Sequence, residues 1–142
     1  MSSKTGGPII FIISGPSGSG KTTLISHVLK KKDFKNSLVK IKSFTTRPTR
    51  KTEREVKDYF FISDKEFRQR RRNGGFLETV KYLDYCYGTP KRQVEAALKK
   101  NKDVILCIDV RGQKRLKKIF GKRVVSIFVQ PPIKSFRQVL AR

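Results

Sequence analysis

The chain has 142 residues, with 34 lysines and arginines against 11 aspartates and glutamates, and its formal net charge of +23 at pH 7 makes nucleotides, nucleic acid and anionic surfaces the partners to weigh first. A hydrophobic fraction of 37%, with 10 phenylalanines and 4 tyrosines, is enough for one packed core and excludes wholesale disorder. The longest apolar run near the N-terminus, Ile9 to Ile13, is too short for a signal-peptide core or a bilayer span, and Cys86 and Cys107 have neither the spacing nor the histidine partners of a disulfide framework or a zinc site. The expectation is therefore a soluble, cytoplasmic protein of one domain, residues 1–142, with reduced thiols and no membrane partner.

Ile9 to Ser14, bounded by Pro8 and Gly15, suits a strand buried on both faces of a parallel sheet. From Lys21, Leu24, Ile25, Val28 and Leu29 recur at helical spacing, and Lys30 to Lys32 place positive charge at the carbonyl end. Val39 to Ser43 reads as a short second strand and Tyr59 to Ile62 as another. Ser63 to Glu66 has capping-box spacing for a helix running to about Asn73, closed by Gly74 and Gly75. Phe76 to Tyr82 is a strand, and Thr89 before Pro90 starts a helix with proline at its first position and Val94, Ala97 and Leu98 as its apolar stripe. Asp103 to Asp109 is a second buried strand, followed by a helix at about Gln113 to Phe120. A third buried strand, Val124 to Val129, leads to a helix start after Pro131 and Pro132. Strands alternating with helices at both ends of the chain predict an α/β fold, a parallel sheet flanked by helices with core residues 8–42 and 89–142, into which a mixed α+β lobe of about 43–88 is inserted.

The acids are concentrated in the middle: all but Asp33 fall between Glu53 and Asp109, and the stretch from Val110 to Arg142 has 10 basic residues and no acid. A few of those central carboxylates therefore stand out as candidates for a specific acceptor role against a basic background. His27, the sole histidine, and the arginines between Arg68 and Arg72 read as ordinary helix-surface residues.

Gly15-Pro16-Ser17-Gly18-Ser19-Gly20-Lys21-Thr22 fits G-x-x-x-x-G-K-[ST] at every fixed position, after a predicted strand and at the start of a predicted helix. Glycines let the backbone turn its N–H groups around a phosphate, and the helix N-terminus adds positive potential. Lys21 can reach the β- and γ-oxygens and the Thr22 hydroxyl can hold Mg²⁺. Residues 15–22, with Thr23, are thus a nucleoside triphosphate site of the P-loop NTPase type, with ATP the expected donor.

The rest of the chain resembles the guanylate kinase family along nearly its whole length. The clusters bearing the resemblance are Ser43-Phe-Thr-Thr-Arg47-Pro-Thr-Arg50, Asp58-Tyr-Phe-Phe61, Gly75-Phe-Leu-Glu78, Tyr87-Gly-Thr89 and Ile108-Asp109-Val110-Arg111-Gly112. That resemblance implies transfer of the ATP γ-phosphoryl group to GMP, giving ADP and GDP, with Mg²⁺, and makes the inserted lobe the nucleoside-monophosphate-binding part. It implies that Arg47, Arg50, Tyr59 and Tyr87 clamp the GMP phosphate, while Ser43, Glu78, Thr89 and Asp109 read guanine. Paired arginines suit a phosphate dianion, and carboxylates match the N–H donors of guanine.

The sequence departs from the family pattern in several places. Cys107 stands two positions before Asp109, where the family is usually acidic, which predicts weaker magnesium affinity. Arg54 to Lys57 replaces a glycine-containing turn, and Arg111 replaces a glutamine. The chain stops at Arg142, in the helix that leads to the family's lid, so the lid and the C-terminal helix are expected to be absent. Of the arginines left to assist the transfer beside Lys21 and Arg47, Arg137 is the candidate, with Arg142 the other in that stretch. A phosphoryl-transfer arginine is worth about 10³ to 10⁵ in rate. The alternative expectation is accordingly a guanylate-kinase-like nucleotide-binding or protein-interaction domain with little activity. The excess charge adds non-specific polyanion contact.

Overall fold

The computed structural model describes residues 5–50 and 58–131. Its elements in chain order are β1 (Ile10–Ser14), α1 (Lys21–Lys30), β2 (Leu38–Lys40), β3 (Ser43–Thr45), β4 (Tyr59–Phe61), α2 (Asp64–Arg72), β5 (Phe76–Tyr82), β6 (Tyr85–Pro90), α3 (Lys91–Lys99), β7 (Asp103–Cys107), α4 (Val110–Phe120), a 3₁₀ turn (Gly121–Arg123) and β8 (Val124–Phe128). They form two four-stranded sheets, a parallel one in the order β2-β7-β1-β8 and a mixed one in the order β4-β3-β6-β5.

The parallel sheet is apolar on both faces, and strand alternation sorts its side chains between two cores. Ile10, Ile12, Val104, Leu106 and Val124 pack with Val94 and Ala97 of α3 and Leu116 of α4. Ile13, Leu38 and Ile105 pack with Ile25 of α1 on the other face. Full burial of such a side chain stabilises by about 1.5–3 kcal/mol. Register is pinned by Ile10 opposite Val104 on one side and Val124 on the other, and the Asp103 carboxylate accepts the Ile9 N–H at 2.8 Å.

The mixed sheet has an aromatic core of its own. Phe67 of α2 stacks on Phe76 with ring centroids 4.7 Å apart, and Phe44 meets Phe76 at 5.9 Å and Phe60 at 4.9 Å. Gly88 makes room for this packing, since a Cβ there would lie 2.8 Å from the Phe76 ring. At the start of α2, Ser63 accepts the Glu66 N–H at 3.1 Å, half of the anticipated capping box; the Glu66 carboxylate instead receives Arg70 one turn on.

Several expectations are corrected. The strand read at 39–43 is two strands in two sheets: Ile41 is buried and its N–H still reaches Ile105 O at 3.1 Å, after which the chain crosses over and β3 begins. Pro90 is the N-cap of α3 and not its first helical residue, because Thr89 and Pro90 still pair with β5. The strand β6 itself was not anticipated; its Cys-Tyr-Gly-Thr-Pro sequence lacks alternation, and its turn from β5 is made by Leu83 at φ +52° without a glycine. The second buried strand ends at Cys107, so Asp109 caps α4, which begins three residues earlier than its periodicity suggested. β8 is half-covered rather than buried, with Val125, Ile127 and Phe128 exposed, because among the described residues it lies at the end of the strand order. The helix expected after Pro132 lies outside the described residues.

Candidate functional site

A cavity of about 420 Å³ opens at the carboxyl ends of β1 and β7, where the parallel sheet meets the mixed one. In open α/β sheets that is the position at which ligands bind. One end is formed by Gly15, Pro16, Ser17 and Lys21, the other by Ser43, Tyr59, Glu78 and Tyr87, with Asp109 between them. The sequence motif and the residues assigned by resemblance therefore share one space.

The phosphate loop follows from its glycines. Gly15, Gly18 and Gly20 have φ of +149°, +75° and +91°, and Gly20 is the N-cap of α1. At Gly15 there is a second constraint, since a Cβ would lie 2.4 Å from the Val129 carbonyl oxygen, which packs against the loop after β8. Ser19 N–H donates to Pro16 O at 3.1 Å to close the turn. The Lys21 ammonium donates to the carbonyls of Gly15 and, at 3.2 Å, Pro16, so it already lies along the inner side of the loop. Thr22 and Thr23 are exposed in the first turn of α1. Gly18, Ser19, Gly20, Thr22 and Thr23 complete the loop and helix start without lining the cavity.

At the opposite end Glu78 of β5 is 6% exposed, the buried carboxylate of that strand. Thr89 donates to its Oε1 at 2.6 Å, while Oε2 has no hydrogen-bond partner among the described residues. Burial is the main reason its pKa is raised; the Thr89 hydroxyl opposes that shift, Asp109 adds to it and Arg115 works against it. Gly112 of α4 faces this group, and a Cβ there would sit 2.7 Å from Oε2. A buried acceptor left without a partner is the kind of exception that marks a ligand site.

Tyr59 and Tyr87 meet edge to face with centroids 5.9 Å apart, and burial pushes the Tyr59 hydroxyl up to about 12, so it is a neutral donor at physiological pH. The Arg47 guanidinium lies 5.6 Å from the ring centroids of both Tyr59 and Phe61. Neither Arg47 nor the exposed Arg50 lines the cavity, and Thr89 stands behind Glu78 rather than in the space itself. Asp109 is heavily engaged: Oδ1 accepts the N–H groups of Arg111 and Gly112 at 2.9 and 3.1 Å, and Oδ2 accepts Arg111 Nε and Nη2 at 3.1 and 2.8 Å. Arg137 and Arg142 lie outside the described residues.

Sequence reasoning missed Val80, Tyr82 and Ile108, which also line the cavity, and did not assign a contact to Cys107. Val80 and Tyr82 share Glu78's face of β5 by the two-residue period, a signal available from the sequence once Glu78 is singled out. Cys107 ends β7 beside β1, level with Ile13, and Ile108 follows it. Burial raises the Cys107 thiol, against the pull of Lys21 and Lys40; Asp58, paired with Lys40, also raises it. Among the described residues no three His, Cys, Asp or Glu side chains are grouped to hold a metal ion by themselves, and no helix is long and apolar enough to cross a membrane.

Comparison with known proteins bears on this geometry. The family model described as guanylate kinase matches residues 8–141. The chain is 45% identical over 130 residues to a guanylate kinase of Bacteroides fragilis, covering 91% of this chain and 62% of that protein. It is 45% identical over 123 residues to one of Thermotoga maritima, covering 87% and 58%. The crystal structure of guanylate kinase from Anaplasma phagocytophilum superposes with a TM-score of 0.75 at 30% identity, over 94% of this chain and 65% of that one. The chain thus spans about three fifths of the length of the curated relatives it matches.

Proposed function

Because the chain belongs to the guanylate kinase family, we propose that it transfers the γ-phosphoryl group of ATP to GMP, yielding ADP and GDP, as a cytoplasmic step of purine nucleotide metabolism. The observation that supports this most is the single cavity with a phosphate loop at one end and, at the other, a buried carboxylate whose Oε2 has no partner among the described residues. A phosphate site alone suits many triphosphate enzymes. A desolvated acceptor in the same cavity suits a second ligand that carries N–H donors, as guanine does at N1 and its exocyclic amine.

In this reading residues 43–88 form the acceptor lobe on a core of 8–42 and 89 onward. The loop N–H groups of Gly15 and residues 17–20, with Lys21, hold the donor phosphates around Pro16, which has no N–H to give. Arg47 and Arg50, with the hydroxyls of Tyr59 and Tyr87, hold the acceptor phosphate, and Ser43, Glu78 and Asp109 read the base, with Thr89 orienting Glu78. The acceptor nucleophile is a phosphate oxygen, so no general base is needed. The protein aligns two anions and cancels their charge. Asp109, already capping α4, contributes through remaining lone pairs.

The donor set fits Mg²⁺ of the kind that takes few protein ligands: Thr22 presents an exposed hydroxyl beside Lys21, and nucleotide phosphates and water supply the rest. When bound, the ion neutralises charge on the β- and γ-phosphates. Cys107, neutral where a carboxylate is usual, adds no ligand of that type.

The test is a coupled assay of ADP formation with GMP, AMP, CMP and UMP as acceptors. ADP is expected only when ATP and GMP are both present; formation indifferent to the acceptor would refute the assignment. Tight binding of both nucleotides without turnover would favour the second reading, a guanylate-kinase-like nucleotide-binding or protein-interaction domain with little activity.

A further inference from the structure

Arg111 and Arg115 lie one helical turn apart on α4, and both reach across to backbone carbonyls of β5. Arg111 Nη1 donates to Lys81 O at 2.9 Å, and Arg115 Nη1 donates to Thr79 O. The spacings match: four helical residues rise about 6 Å and two strand residues about 6.6 Å. Two guanidinium groups can therefore form two parallel rungs between a helix and a strand running in opposite directions. Among the described residues β5 is the last strand of the mixed sheet, and no described strand pairs with the carbonyls on its outer side.

The strand held in this way is the one that faces the cavity. Thr79 and Lys81 alternate with Glu78, Val80 and Tyr82, so carbonyls of the first pair are tied to α4 while side chains of the second set line the site. Arg111 does more than pin the strand: Nε and Nη2 of the same guanidinium hold Asp109 Oδ2 at 3.1 and 2.8 Å. One planar group thus spans the two carboxylate-bearing elements of the base-reading end, which a single-pointed ammonium cannot do. Arg111 and Asp109 are both exposed, at 55% and 43%, and an ion pair so wet contributes little stability alone. Its use is geometric.

We propose that Arg111 and Arg115 are positioning residues, a two-rung guanidinium ladder that docks β5 on α4 and so sets Glu78 over Gly112 and beside Asp109 for the acceptor base. The identity of that ligand rests on the reading above; the ladder itself does not. In this chain the Arg111 rung occupies a position where the family resemblance leads one to expect glutamine, whose amide is too short and has too few donors for the double contact.

The experiment compares the full chain with Arg111→Gln, Arg115→Gln, the double variant and Arg111→Lys, using calorimetric titration with GMP and with ATP and, without nucleotide, amide hydrogen exchange. The double variant is expected to bind GMP about tenfold more weakly, a scale typical of residues that act through others, with ATP affinity within about twofold. Exchange should accelerate at least about tenfold in β5 and stay unchanged in β1 and β7. Arg111→Lys should recover only part of the GMP loss. Equal weakening of both nucleotides, unchanged exchange in β5, or full rescue by lysine would each overturn the ladder. Failure of the unsubstituted chain to bind GMP would instead refute the acceptor assignment, and the nucleotide-free exchange would still decide the ladder.

Discussion

Replacing Gly112 by alanine sets two effects of opposite sign against each other. In a helix interior alanine is favoured over glycine by about 1 kcal/mol, an upper bound for Gly112 in the first turn of α4. Against that, a Cβ at position 112 would lie 2.7 Å from Glu78 Oε2, 3.0 Å from Glu78 Cδ and 3.2 Å from Ile108 Cδ1. Glu78 has little room to retreat, being 6% exposed with its other oxygen held by Thr89 at 2.6 Å. Overpacking of this kind costs about 1–3 kcal/mol. The net expectation is a loss of about 0–3 kcal/mol in urea unfolding, with the carboxylate displaced and GMP affinity at least about tenfold lower, or about 1.4 kcal/mol. ATP binding, at the other end of the cavity, should be unchanged in the same calorimetric titrations. An alanine variant more stable than the parent by the helix-propensity difference, with GMP affinity intact, would refute the reasoning, because Glu78 would then yield freely and its placement would not matter.

Further outcomes follow from the same geometry. Glu78→Gln keeps an acceptor for Thr89 and removes a buried charge. Because burial raises the Glu78 pKa in the native state, the native chain binds more protons than the unfolded chain between the ordinary carboxylate value and that raised value, so its stability falls as pH rises through this window. Urea midpoints from pH 4 to 8 should show Glu78→Gln losing that decline, becoming more stable than the parent near neutrality while binding GMP poorly; parallel profiles would contradict the burial argument. Gly15→Ala, with a Cβ 2.4 Å from Val129 O at φ +149°, should lower stability by about 1–3 kcal/mol and weaken ATP binding far more than GMP binding, and a silent substitution would mean the loop can shift away from β8 at no cost. Lys21→Ala should abolish ADP formation while the circular dichroism spectrum is preserved, since the ammonium bonds only loop carbonyls; retained turnover would remove Lys21 from the chemistry.

Part of this protein is written in short-range chemistry. Strands β1 and β7, helix α1, the Ser63 cap and the phosphate loop follow from apolar runs, a 3.6-residue period, and glycine, lysine and hydroxyl spacing, because each depends on neighbours a few positions away. The family resemblance added which distant residues belong to one site, and the cavity brings five of its acceptor-side candidates, Ser43, Tyr59, Glu78, Tyr87 and Asp109, to the loop. Only the tertiary structure decided the remainder. It split the run after Leu38 between two sheets, because Ile41 finds its partner at Ile105 and the next residues do not. It made β6 a strand by pairing it with β3 and β5 despite its glycine and proline. It turned Asp109 into a helix cap, set Gly112 against Glu78 and tied α4 to β5 through two arginines that in the sequence look like more of the surplus charge. The contacts between α4 and β5 join residues 30 or more positions apart, as Arg111 joins Lys81 and Arg115 joins Thr79. No local period or propensity encodes them; they exist only once both sheets have packed and brought their edges within reach.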